Sequence, residues 1–170
     1  MQKVGVVLAG CGAKDGAEIH ESVLTLLALD RAGVKVTIMA PNIDQFHVVN
    51  HSTDNEYNSK RNVLSESARI ARGDIVPLED IKSDELDAII FPGGTGMAKN
   101  IFNYVIEGPN FTVIKDVESL TRDMIRKNKP IGAICIAPVM IAKILQNMNR
   151  VGKLTGGFDE KISVDIEAMG

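Results

Sequence analysis

A chain of 170 residues, 45% hydrophobic and 24% charged, has room for one well-buried core and not for two domains. It contains no Trp and only 4% aromatic residues, which predicts an aliphatic core, and its formal charge is −3; it therefore offers neither stacking platforms nor the basic surface that a nucleic-acid partner requires. Two Cys and three His are too few for a disulfide framework or a standard zinc site, which points to a reducing, cytoplasmic setting without a metal.

Residues 4–8 form an apolar run bounded by Gly10, Gly12 and Gly16, the pattern of a buried strand followed by a turn. Leu8-Ala9-Gly10-Cys11 resembles a lipoprotein cleavage motif, but the apolar run before it is shorter than a signal-peptide core. No run reaches the length of a membrane span, so no membrane partner is expected. Residues 17–32 have helical spacing, with Ile19, Val23, Leu26 and Leu27 on one arc and Gly33 as the stop. Residues 34–39 predict a second strand. The turn-prone Ser52-Thr53-Asp54-Asn55 within 46–58 predicts a small hairpin, and 63–71 a helix. Residues 86–91 read as a third buried strand ending in Pro92-Gly93-Gly94, 113–126 as a helix, and 131–135 as a further strand. A helix over 138–145 follows, with Pro138 in its first turn. Alternating strands and helices predict an α/β fold, a mainly parallel sheet with helices on both faces whose site lies where strands end and helices begin.

Four segments at that edge carry candidate chemistry. Cys135 stands at a strand-to-helix elbow, where the helix N-terminus favours a thiolate and the Ile136 N–H is free to meet an oxyanion; the alternative is a buried Cys acting as a small hydrophobe. Gly93 and Gly94 permit close backbone approach and offer N–H groups to an anion, or simply make a tight turn. Glu18 and Glu21 share the first helical turn. Glu21 falls at the margin of the apolar arc, where desolvation suits it to acid or base work, although acidic residues there also satisfy the helix dipole. His20 falls inside the arc, between Leu24 and Leu27, and reads first as a core residue. The spacing of Gly10, Gly12 and Gly16 is not the dinucleotide fingerprint, and no acidic residue closes the second strand to hold a ribose; no cofactor is expected. All three His (His20, His47 and His51) precede Cys135, so a downstream His base is missing and proton work falls to Glu21 or an upstream His.

Taken together, Gly10-Cys11-Gly12, Asp15 to Glu21, Arg61-Asn62-Val63-Leu64, Pro92-Gly93-Gly94 with Ala98-Lys99-Asn100, and Cys135 to Pro138 resemble the ElbB family, the isoprenoid-biosynthesis proteins with glyoxalase activity. That family lies within the PfpI-like, class I glutamine amidotransferase-like superfamily. The resemblance implies a flavodoxin-like three-layer sandwich with a nucleophile elbow, Cys135 as nucleophile, Glu21 as the proton-handling carboxylate, and Gly94 and Ile136 as oxyanion donors. It implies cofactor-free conversion of glyoxal to glycolate, with Gly93, Cys11, Glu18 and His20 near the substrate. The missing downstream His counts against amidotransferase and protease activity. Family members continue with a further strand and helix beyond Ala168-Met169-Gly170, so the single domain over 1–170 is expected to lack them, and a homodimer is expected. Two other functions fit the same residues: a redox sensor that uses Cys135, and a binding module for a small anionic metabolite at Gly10 to Gly16 or Gly93-Gly94.

Overall fold

The computed structural model describes residues 1–170. β1 (Lys3–Val7) runs into α1 (Ile19–Arg31) and β2 (Lys35–Ala40). The hairpin strands β3 (Val48–Val49) and β4 (Glu56–Tyr57) precede α2 (Val63–Ala71) and a short edge strand, β5 (Val76–Pro77). β6 (Ala88–Phe91) leads to the one-turn helices α3 (Met97–Asn100) and α4 (Tyr104–Glu107) and then to α5 (Lys115–Arg126). β7 (Ile131–Ala133), α6 (Ala137–Asn147) and α7 (Glu160–Met169) complete the order. The main sheet is parallel throughout, in the order β5-β2-β1-β6-β7. β1 lies at its centre because its apolar residues are buried on both sides, pairing Val4 with Val36 and Ala88, and Val6 with Ile38 and Ile90.

From β1 the chain steps one way, to β2 and β5, whereas β6 steps the other way to β7. Right-handed crossovers then place α1 and α2 on one face and α5 on the opposite face. The reversal lies between β1 and β6, so the crevice above their C-terminal ends is bounded by the loops at 8–18 and 92–96. The parallel α/β architecture expected from the alternating pattern is the one observed.

Two features of the packing depart from expectation. Four of the seven aromatic residues enter the core: Phe91, Phe102 and Phe111 are fully buried, and Tyr104 packs edge-on against Phe111 at 5.4 Å between ring centroids. The core is therefore not purely aliphatic. The second departure is the rotation of α1. Ser22 is its buried residue, and Leu26 and Leu29 are the positions that pack on the core. Ile19, Val23, Leu24 and Leu27 remain 41%, 46%, 61% and 41% exposed. The apolar arc is wider than the sheet beneath it, and its outer half faces outward. His20 turns out with it, its side chain 88% exposed, so the core reading of His20 is wrong.

Candidate active site

β7 stops at Ala133, and Ile134 makes one more bond to the sheet, its N–H donating to Phe91 O at 3.0 Å. Cys135 then takes a left-handed backbone conformation, φ 59°, which a non-glycine residue adopts only when its surroundings impose it. Ala137 N–H closes the turn on Ile134 O at 3.0 Å, and α6 begins with Pro138 in its first turn. The elbow is exposed, while its sulfur lies against three groups. The Glu21 carboxylate and the backbone N–H groups of Gly94 and Ile136 are the groups that act on the thiol, and Cys135 Cβ and Glu21 Oε2 stand 2.5 and 2.9 Å from the point a Cβ on Gly93 would occupy. Burial and then the Glu21 charge push the thiol up, against the opposing pull of the two N–H donors. The expectation of a thiolate favoured by the helix N-terminus is thus corrected. Burial and a carboxylate beside the sulfur outweigh the backbone donors, and the thiol form is favoured.

Glu21 is held by a closed ring of hydrogen bonds. The Glu18 N–H donates to Gly93 O at 2.8 Å, the Gly93 N–H to Glu21 Oε2 at 2.7 Å, and the Glu21 N–H to Glu18 Oε2 at 2.7 Å. Glu18 is the N-cap of α1, so one carboxylate fixes the start of the helix and another projects from its first turn toward the sulfur. The Glu21 N–H, with a smaller contribution from His20, holds the Glu18 carboxyl below the usual range. His20 Nδ1 lies 3.0 Å from Glu18 Oε1; its exposed ring braces the cap from outside and does not line the site. Gly93, expected among the oxyanion donors, directs its N–H to Glu21 instead, which leaves Gly94 and Ile136 as the two donors that face the sulfur.

The glycine-rich loops pack backbone against backbone. A Cβ at Gly94, whose φ is 115°, would stand 2.6 Å from Gly16 O, and one at Gly96 would overlap the Gly16 nitrogen. Their N–H groups are already engaged: Gly10 donates to Ser67 Oγ, Gly12 to Ala17 O, Gly16 to Gly12 O, and Gly96 to Ala13 O. An anion cradle needs free N–H groups, and these four glycines offer none to a metabolite. Cys11 is half-buried, and the charges acting on it are Glu66, Arg69, Asp15 and Arg61; burial and Glu66 push its thiol up. None of these charges acts on Cys135, and the two thiols have separate surroundings.

Asn100 carries no sequence signal beyond the Ala98-Lys99-Asn100 motif. Its buried amide donates to Ala9 O and Asp15 O, both at 2.9 Å, and its carbonyl accepts the Phe46 N–H at 2.9 Å. It ties the β1 loop to the segment before the hairpin. Asp15, also buried, accepts the Val49 N–H at 2.8 Å and so fastens the hairpin to the same loop. His47 and His51 bond elsewhere, His47 to Lys99 and Glu56 and His51 to Lys14 and Val49. Glu21 is therefore the titratable side chain that acts on the Cys135 sulfur.

The family model described as the DJ-1/PfpI family matches residues 7–161. The human glutamine amidotransferase-like class 1 domain-containing protein 3, named mitochondrial, is 45% identical over 147 residues, 86% of this chain and 55% of that protein. The chain spans about half the length of the curated relatives it matches. Among solved structures, an isoprenoid biosynthesis protein with amidotransferase-like domain from Ehrlichia chaffeensis is 40% identical with a TM-score of 0.82, covering 86% of this chain and 69% of that one. Glyoxalase III from Candida albicans, 15% identical with a TM-score of 0.52 over 81% of this chain and 58% of that one, shares the fold alone.

Proposed function

The chain belongs to the DJ-1/PfpI family, and on that premise we propose that it is an ElbB-type, cofactor-independent glyoxalase that converts glyoxal to glycolate at Cys135. The observation that carries the reading is that Gly93 brings the Glu21 carboxylate and Cys135 to one point, with the Gly94 and Ile136 N–H groups also acting on the sulfur. As Sγ forms a bond to one aldehyde carbon, its proton passes through Glu21 to the carbonyl oxygen, giving a hemithioacetal. The N–H groups of Gly94 and Ile136 hold the oxygen while it carries charge. Glu21 then removes the proton from the sulfur-bearing carbon and returns it to the neighbouring carbon. The hydroxyl proton on the first carbon passes to the oxygen of the second, so that the C=O forms at the sulfur-bearing carbon and the CH2OH beside it. The product is a glycolyl thioester; water cleaves its C–S bond, releasing glycolate and restoring the thiol. A thiol raised by burial and by Glu21 suits this sequence, because the proton that leaves Sγ on addition is returned to it when the thioester is cleaved. A peroxide sensor would need a thiolate at neutral pH, the opposite of the direction in which burial and Glu21 move this thiol.

The association with isoprenoid metabolism is part of the same reading and draws its support from the Ehrlichia protein. So is a homodimer, supported by the exposed apolar stripe of Ile19, Val23, Leu24 and Leu27 on the helix that carries Glu21.

The test is glyoxal consumption and glycolate formation by the wild type, Cys135→Ala and Glu21→Gln. Cys135→Ala is expected to reduce turnover to background, and Glu21→Gln to lower it by roughly 10²–10⁴-fold. Unchanged turnover in Cys135→Ala would refute the assignment.

A further inference from the structure

A second chain of titratable groups lies outside the Cys135 site. Lys99, in α3, donates from Nζ to the Lys14 carbonyl at 3.1 Å and lies 3.0 Å from His47 Nε2; His47 Nδ1 lies 2.7 Å from Glu56 Oε1. An ammonium has only protons to offer, so Nε2 is the acceptor, and Nδ1 carries the ring proton and donates it to Glu56. None of the chain's ion pairs includes Lys99, whereas Lys14 pairs with Asp54 and Lys127 with Asp84. The Lys99 amine is half-buried between the Lys14 carbonyl and the His47 ring. Burial holds it below the usual lysine range, against the pull of Glu56 and Asp15. An amine whose proton has an imidazole acceptor, with the imidazole oriented by a carboxylate, has the arrangement that activates a nucleophile.

We infer that Lys99 is a second carbonyl-reactive centre, in which the His47–Glu56 pair takes a proton from the amine and the freed nitrogen captures a small aldehyde as an imine. The Nζ lone pair forms a C–N bond to the carbonyl carbon. The proton that leaves Nζ passes through His47 to the carbonyl oxygen, which gives a carbinolamine. Breaking its C–O bond with one further proton transfer releases water and leaves the imine; no oxidant or reductant enters. Lys99 lines a cavity of about 150 Å³ with Asn100 and Thr112, which has space for a small aldehyde, while His47 and Glu56 line a separate cavity of about 550 Å³ with Phe46 and Tyr57. This centre shares no residue with the Cys135–Glu21 pair, and its test does not depend on that pair.

The experiment labels Cys135→Ala protein with propionaldehyde and cyanoborohydride and maps the alkylated lysines by peptide mass spectrometry at short times. A monoaldehyde leaves arginine unmodified and cannot undergo glyoxalase turnover. Lys99 is expected to label at least about tenfold faster than the exposed Lys3 and Lys35, since a positioned base contributes that much or more. Adding His47→Gln or the milder Glu56→Gln is expected to bring Lys99 down toward the rate of those two, which themselves do not change. Labelling of Lys99 no faster than Lys3 and Lys35, or a Lys99 rate unmoved by both substitutions, would overturn the inference.

Discussion

Gly93 and Glu21 occupy space that a single methyl group would close. The Gly93 N–H donates to Glu21 Oε2 at 2.7 Å. A Cβ on Gly93 would stand 2.9 Å from that same oxygen, 2.5 Å from Cys135 Cβ and 2.8 Å from Ile134 O. The glycine is thus what lets the β6 loop, the elbow and the first turn of α1 meet at one point. Gly93→Ala must displace the nucleophile or its carboxylate, because two of the three obstructing groups are the reacting pair. Displacements of that size cost on the order of 10²-fold in rate, and overpacking costs about 1–3 kcal/mol of stability. Turnover and thermal unfolding of Gly93→Ala measure the two effects; wild-type turnover would show that the site tolerates the displacement.

Glu21 also sets the ionisation of Cys135. Burial raises the thiol first, and the Glu21 charge and hydrogen bond raise it further. Replacing Glu21 by Gln removes the charge and keeps the side chain's size, so the thiol should ionise at lower pH than in the wild type. Ultraviolet titration of the thiolate in both proteins reads this directly, with Cys135→Ala as the blank that removes the Cys11 signal. A transition that moves upward, or stays in place, would mean that Glu21 does not govern the sulfur.

How much of this site could be read from the residues depended on whether local pattern or distant contact decided each feature. The Cys135 elbow was legible because an apolar run meets Pro138 across two residues, a strand running into a helix start. The α2 helix, Val63–Ala71, agrees residue for residue, and its N-cap Asn62 accepts the Ser65 N–H at 3.0 Å. β5 escaped notice because its two residues carry no periodicity. α7 had a usable signal in Asp159, whose side chain caps it by accepting the Ile162 N–H at 3.0 Å. Which glycine N–H faces the sulfur, and how Glu21 shifts the thiol, depend on segments far apart in the chain that meet only on folding. The rotation of α1 belongs to the same class: its arc was visible, but which part of it the sheet covers was not.

That rotation leaves an apolar face with a testable consequence. Ile19, Val23 and Leu27 repeat every four residues, and Leu24 lies beside them as the most exposed of the group. A homodimer formed across this stripe would remove it from water. Sedimentation or light scattering should then give twice the chain mass, shifting to the monomer mass in Leu24→Glu, which places a charge within the apolar contact. A wild-type chain that stays monomeric as concentration rises rules this pairing out.

The last prediction concerns pH and the N-cap of α1. The Glu18 carboxyl is held below its usual range, first by the Glu21 N–H and then by His20, so the folded state favours its charged form. A group depressed in this direction contributes its full stability above the unfolded carboxylate value, about 4.3, and loses it as pH falls through the folded value. Glu18→Gln keeps an acceptor oxygen at the cap but removes the charge. At neutral pH the variant should be less stable by up to about 1 kcal/mol, the usual scale of an N-cap, or roughly 2–4 °C in Tm for a chain of this size. The difference should vanish once acid has protonated Glu18 in the wild type as well. Because the other carboxylates titrate alike in both proteins, subtracting the two Tm profiles isolates Glu18. Turnover should follow, since the capped N–H belongs to Glu21 itself: Glu18→Gln is expected to reduce kcat more than it changes KM. A Tm difference that stays constant from neutral pH into the acid range would mean that the cap does not act through its charge.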